Sequence, residues 1–251
     1  MKFFMNLLLM MYCSVSIFGQ NSTLSDSSNI SGNNAYQFSY KKLIIPAAFI
    51  GYGVLSLTTR DLKELNNSTQ YEIKEHQPVH TKLDNYTQYA PAAMVYGLNA
   101  FGIKGKHNFK DRTIILGTSM LFTSALVLPA KHLIQEERPD GSNKLSFPSG
   151  HSATAFATAQ FMFREYKDDN FWLSLAGYPL AAFTGVYRII NDKHWVGDVV
   201  AGAGVGILST EMAYWVYPRV SKWLTFKDNQ HTLIMPQYQS KQLGLCYFKI
   251  F

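Results

Sequence analysis

Cysteine is nearly missing from this sequence: Cys13 and Cys246 are the only two in 251 residues. Two thiols cannot build a cysteine metal site, and if Cys13 leaves with a cleaved leader no internal disulfide is possible. Charge is scarce too. Charged residues make up 16% of the chain, against roughly 25% in soluble domains. There is no run of five or more basic residues and no nucleic-acid motif, so the net charge of +6 points to an anionic membrane surface or substrate rather than to nucleic acid. No stretch is patterned as a strand before the C-terminal tail, and no repeat of solenoid period occurs. No Asp, Glu and His residues fall at metal-ligand spacing, so no metal or other cofactor is implied.

What is present is apolar. Hydrophobic residues reach 47% and aromatics 14%; the mean hydropathy of −0.07 averages strongly apolar segments with a few polar stretches. Residues 1–20 have a positive start at Lys2 and an apolar run to Phe18, the shape of a secretory signal peptide, with an uncleaved N-terminal anchor as the alternative. Residues 21–40, rich in Ser, Asn and Gly, read as a flexible linker, 41–227 as one helical domain, and 228–251 as a tail. Within the domain, apolar segments of helical length cover 43–57, 89–102, 113–130, 152–163, 171–187 and 195–217. A bilayer-spanning helix needs about 20 apolar residues. The third, fifth and sixth approach that length; segment 43–57, interrupted by Pro46, Gly51 and Gly53, reads as a surface-lying or partly buried helix, or as a span if the N-terminal run is not cleaved. The expected fold is all-α: a compact bundle of about six apolar helices, membrane-embedded, with a β-leaning tail containing a Gly turn. A soluble periplasmic bundle with these segments as its core is the alternative. The glycines and alanines from Ala201 to Gly206 would let helix backbones approach closely.

Charge between the segments orients the bundle. Lys104, Lys106, Lys110 and Arg112 in one loop, and Arg219, Lys222 and Lys227 after the last segment, mark a cytoplasmic side. The stretch 60–84 and the loops at 131–151 and 188–194 then lie outside, in the cell envelope.

Those outer loops carry the chemistry. One holds Lys131 and Arg138-Pro139, one Pro148-Ser149-Gly150-His151, and one Arg188, His194 and Asp198. Lys131, Arg138 and Arg188 are three cations, and arginine offers a planar fork of donors suited to phosphate oxygens. Ser149 at the start of a helix can cap it, and a helix N-terminus favours anions. His194 and Asp198 are four apart, so on a helix a carboxylate would orient an imidazole. His151 is the natural proton donor to a leaving oxygen. Each piece alone has an ordinary explanation: cations as interfacial anchors, His151 as a capping or core residue, His194 and Asp198 as a surface pair. Asp192 and Lys193 read as solvated, and His132 and His231 as structural.

Together, in this order, the spacings Lys-x6-Arg-Pro, Pro-Ser-Gly-His and Arg-x5-His-x3-Asp resemble the three-part signature of the type-2 phosphatidic acid phosphatase and vanadium haloperoxidase superfamily. The resemblance covers 113–217. It implies a helical bundle whose three motifs converge on one phosphate pocket. Lys131, Arg138, Ser149, Gly150 and Arg188 would bind phosphate, His194 would form a phosphohistidine, His151 would protonate the leaving group, and Asp198 would orient His194. One departure is Tyr187 before Arg188, where the family commonly has Ser. The function expected is hydrolysis of a lipid-linked phosphate monoester or diphosphate at the membrane, with no nucleic acid and no obligate protein partner. A soluble periplasmic acid phosphatase, a vanadium-dependent haloperoxidase and a catalytically idle scaffold are the alternatives; the last is disfavoured by the intact motif residues.

Overall fold

Short polar side chains cap the starts of three helices in this chain, at Asn108, Ser149 and Asn170. The computed structural model describes residues 39–76, 78–224, 232–239 and 242–249. The expected signal peptide at 1–20, the linker up to residue 38, Lys227 and His231 lie outside the described residues. Among the described residues there are nine α-helices: α1 (Ile44–Thr58, entered through a 3-10 turn at Tyr40–Leu43), α2 (Arg60–His76), α3 (Asp84–Thr87), α4 (Ala90–Ala100), α5 (Phe109–Ile134), α6 (Gly150–Tyr166), α7 (Phe171–Leu175), α8 (Gly177–Ile190) and α9 (Val196–Leu224). Asn108 caps α5 by accepting from Asp111 N at 2.9 Å, and Asn170 caps α7 by accepting from Leu173 N at 3.0 Å. Gln135, left-handed at φ 51°, ends α5 and turns the chain into the loop that carries Arg138.

The central element is α6. Its side chains are buried almost all round, from Ser152 to Tyr166, and it is packed against α9, α8, α4 and α5. Small residues make this approach possible. A Cβ on Gly202 would lie 2.4 Å from Ser149 O, and one on Gly206 would lie 2.1 Å from Ala153 O. Glycine there brings α9 against α6 backbone to backbone. Away from the motif loops the core is Val95, Ile115, Phe161, Met162, Tyr166, Ala213 and Tyr214. Beside it Glu165 joins Arg112, His107 and Tyr214. Arg112, expected as a cytoplasmic loop charge, is thus spent inside, at 2% exposure.

Among the described residues, four helical stretches are long and apolar enough to cross a bilayer: Tyr40–Thr58, Phe109–Ile134, Phe171–Ile190 and Val196–Lys222. The first exceeds the expected 43–57 because the 3-10 turn extends it, and α1 packs along α9. On α5, Leu121, Leu128 and Leu133 are 66%, 56% and 82% exposed, an apolar exterior suited to lipid. The charged helix α2 has no counterpart among the expected segments, since its residues are mostly polar. The segment 171–187 is divided into α7 and α8.

The tail forms an antiparallel hairpin of β1 (Thr232–Gln239) and β2 (Gln242–Lys249), in register from Thr232 with Lys249 to Gln239 with Gln242. Gly244 lies within β2 opposite Gln237, so it is not the expected turn residue.

Candidate active site

Chain direction brings the motifs to one end of the bundle. Lys131 is in the last turn of α5, Ser149 precedes α6, Arg188 is in the last turn of α8, and His194 lies just before α9.

His194 and Asp198 are 2% and 1% exposed, and His194 Nδ1 lies 3.5 Å from Asp198 Oδ2. They do not share a helical face, as the spacing suggested. His194 sits outside α9 and Asp198 in its first turn, where Oδ2 reaches back to accept from Trp195 N at 2.9 Å. The same oxygen accepts from Ser146 Oγ at 2.5 Å. Asp198 is therefore held by two donors besides the imidazole, and His194 lies within electrostatic reach of Lys131 and Arg188. Burial depresses the His194 imidazole to about 4, against the opposing influence of Asp198, so it is neutral near pH 7.

Ser149, fully buried, is the cap of α6: its Oγ accepts from Ser152 Oγ at 2.9 Å and Ser152 N at 3.4 Å, and retains its own hydrogen to donate. Ser149 N donates to Asp198 O at 3.0 Å, locking the second motif onto the third. A Cβ on Gly150 would meet Val127 at 3.7 Å and Lys131 at 4.0 Å, ordinary contacts, so Gly150 is not there for want of space.

Lys131 Nζ donates to Leu145 O at 2.6 Å and Ser146 O at 3.2 Å, which leaves one ammonium N–H. Arg188, 7% exposed, donates through Nη1 to Asp84 Oδ2 at 2.8 Å. The Nε atoms of Arg138 and Arg188 are buried and have no hydrogen-bond partner. All three cations act electrostatically on His151, and Lys131 and Arg188 also act on His194. His151 Nε2 lies 2.8 Å from Asn85 Oδ1. Burial first, then Arg188, lowers the His151 imidazole to about 4.

Asp192 and Lys193, expected to be solvated loop residues, are half-buried and have partners in the first motif's loop. Asp192 O accepts from Asp140 N at 3.2 Å, and Lys193 pairs with Asp140 at 2.5 Å. With Trp195 Nε1 donating to Glu137 O at 2.8 Å, they fasten the third motif to the first. Tyr187, the departure from the family pattern, packs its ring on Phe183 with centroids 4.4 Å apart. Sequence reasoning missed Asp84, Asn85, Ser146 and Glu136. The first two lie in a segment with no motif, and Ser146 and Glu136 carry no spacing signal; only their juxtaposition with Arg188, His151 and Asp198 marks them.

The sequence model of the PAP2 superfamily matches residues 112–222. This part of the chain is similar to the PAP2 superfamily. A lipid A 1-phosphatase from Porphyromonas gingivalis is 41% identical over 138 residues, 55% of this chain and 31% of that one. A lipid A 1-phosphatase from Helicobacter pylori is 40% identical over 77 residues, 30% of this chain and 38% of that one. The chain thus spans about a third of the length of these curated relatives. Among solved structures, a transmembrane PAP2 type phosphatidylglycerolphosphate phosphatase from Bacillus subtilis is 16% identical and aligns with 76% of this chain and 100% of that one, at a TM-score of 0.49. All the motif residues lie inside the PAP2 match; Asp84 and Asn85 lie before it.

Proposed function

We propose that this protein is a metal-independent phosphatase that removes phosphate from a lipid-linked monoester or diphosphate through a phosphohistidine on His194. The observation that carries this reading is the pair of buried guanidinium Nε donors without acceptors, on Arg138 and Arg188, beside two neutral imidazoles. A phosphoryl group would give these donors oxygens, and the Lys131 ammonium would add to its charge stabilisation.

The steps follow from the atoms available. His194 Nε2 attacks phosphorus while the P–O bond to the lipid breaks, and His151 gives its proton to the departing oxygen. Water then attacks phosphorus, His151 takes a water proton, and the P–N bond breaks to release phosphate and regenerate His194. Asp198 orients His194 and stabilises its positive charge while the bond to phosphorus forms. His151 must be protonated to act as the acid. The positive charges that depress it in the free protein are offset by a bound phosphate dianion, so substrate charges the acid it needs.

The apolar exterior of α5, running to Leu133 two residues past Lys131, supports a lipid substrate. The lipid A 1-phosphatases among the relatives put lipid A first among the substrates to try. Lys104, Lys106 and Lys110 precede or begin α5 while Arg219 and Lys222 follow most of α9, the helix ends remote from the site. The positive-inside tendency then supports a site on the extracytoplasmic face of the bacterial inner membrane.

The test is phosphate release by detergent-extracted protein in EDTA, from lipid A, phosphatidate, phosphatidylglycerophosphate, polyprenyl diphosphate and water-soluble esters, with His194→Ala beside it. Release from a lipid phosphate that vanishes in His194→Ala is expected. Release from soluble esters alone would replace the reading with a periplasmic acid phosphatase, and full activity of His194→Ala would overturn the nucleophile.

A further inference from the structure

The best-held carboxylate of the site has one oxygen that nothing among the ordinary donors satisfies. Asp198 Oδ2 receives Ser146 Oγ and Trp195 N and faces His194 Nδ1, whereas Asp198 Oδ1 is buried with no partner. Among the described residues two other carboxylate oxygens are in the same condition, Asp192 Oδ1 and Glu136 Oε2, and it is Glu136 that stands beside Asp198. The two side chains are within hydrogen-bond reach of each other. Glu136 is fixed there by the chain, because it follows the left-handed turn at Gln135 and its carbonyl accepts from Ser146 N at 3.0 Å.

Two buried carboxylates in contact cannot both be ionised. A single proton between them resolves both orphaned oxygens, since a carboxylic acid donates where a carboxylate only accepts. The proton belongs on Glu136, because the donors gathered on Asp198 favour the anion there. We propose that Glu136 is a positioning residue: as a neutral acid it donates to Asp198 Oδ1 and so holds Oδ2 on His194 Nδ1. The charged groups acting on Glu136 are Asp198 from α9 and Lys63 from α2. Burial, reinforced by Asp198, raises its carboxyl to about 9, against a smaller opposing effect of Lys63, consistent with a neutral acid at physiological pH. The role adds a fourth member to the line His194, Asp198, Ser146, and it rests on the reading of His194 as the nucleophile.

The experiment compares wild type, Glu136→Gln and Glu136→Leu, by phosphate release between pH 6 and 10 and by infrared spectroscopy. Glu136→Leu, which leaves Asp198 Oδ1 without a donor, is expected to lower kcat roughly 10–100-fold with little change in KM. Glu136→Gln keeps an N–H for that oxygen and should restore most of the lost rate. Wild type should lose rate as pH rises through about 9, where the proton leaves, and Glu136→Gln should lose less over the same interval. Independently of turnover, the wild-type infrared spectrum at pH 7 should contain the carbonyl stretch of a buried neutral carboxylic acid that is absent from Glu136→Gln. Identical spectra, or an undiminished kcat in Glu136→Leu, would overturn the role. An active wild type with a fully active His194→Ala would instead sink the nucleophile assignment, leaving the infrared result to decide the protonation of Glu136.

Discussion

Asp84 offers a test of the phosphate site that does not require turnover. Its carboxylate is 1% exposed and accepts from Arg188 Nη1 at 2.8 Å. Arg188 is itself 7% exposed, and its Nε already has no partner. Replacing Asp84 by Ala leaves a buried guanidinium with no counter-ion on either edge. Breaking such a pair costs about 3–5 kcal/mol. At about 2–4 °C per kcal/mol for a chain of this size, Tm should fall by roughly 10 °C. Orthovanadate, an oxyanion of phosphate shape, would supply the missing acceptors. It would also no longer meet the Asp84 charge, a relief of about 1 kcal/mol at 4 Å in water, or roughly fivefold in Kd. Thermal scans in detergent, with and without vanadate, should therefore show Asp84→Ala starting lower and gaining more from the ligand than wild type. A Tm within about 2 °C of wild type would refute the ion pair as a stability element. A smaller vanadate gain than in wild type would refute Arg188 as an oxyanion ligand.

Three further outcomes follow from the geometry. Ser146→Ala removes a hydrogen bond to the Asp198 carboxylate and should lower kcat by roughly 10–100-fold at nearly constant KM, measured by phosphate release. Gly206→Leu forces a side chain onto Ala153 O, where even a Cβ would lie 2.1 Å away, and should lower Tm by several degrees or prevent folding, read by the same thermal scans. Lowering the pH from about 6.5 to 4 should destabilise the wild type through His194. Its folded pKa of about 4 lies below the unfolded value, so the unfolded chain binds more protons in that window and stability falls as pH falls, by up to about 3 kcal/mol. Tm measured across that range should drop less in His194→Asn.

Much of this was legible in the residue order. Apolar segments of helical length appear in the structure as α1, α4, α5, α6, the pair α7 and α8, and α9, because burial or lipid exposure of a helix writes itself as a continuous apolar run. The spacing of Lys131, Arg138, Ser149, His151, Arg188, His194 and Asp198 was enough to name the superfamily. Helix α2 was not legible, since a polar helix owes its place to contacts made elsewhere: Gln70 Nε2 donates to Pro139 O at 2.9 Å, and Asn66 Oδ1 accepts from Gly197 N at 3.3 Å.

The sequence by itself therefore determined which side chains could do phosphoryl chemistry, because those residue types at that spacing are local properties of the chain. Only the tertiary structure decided their state. It put His194 outside α9 instead of on its face, drew Ser146 onto Asp198, laid Asp84 and Asn85 on Arg188 and His151, and set Glu136 against Asp198. Those partners come from segments up to 104 residues apart in the chain. Charge and hydrogen bonding act through space at a few ångströms, and no spacing along a sequence encodes which distant donor arrives there.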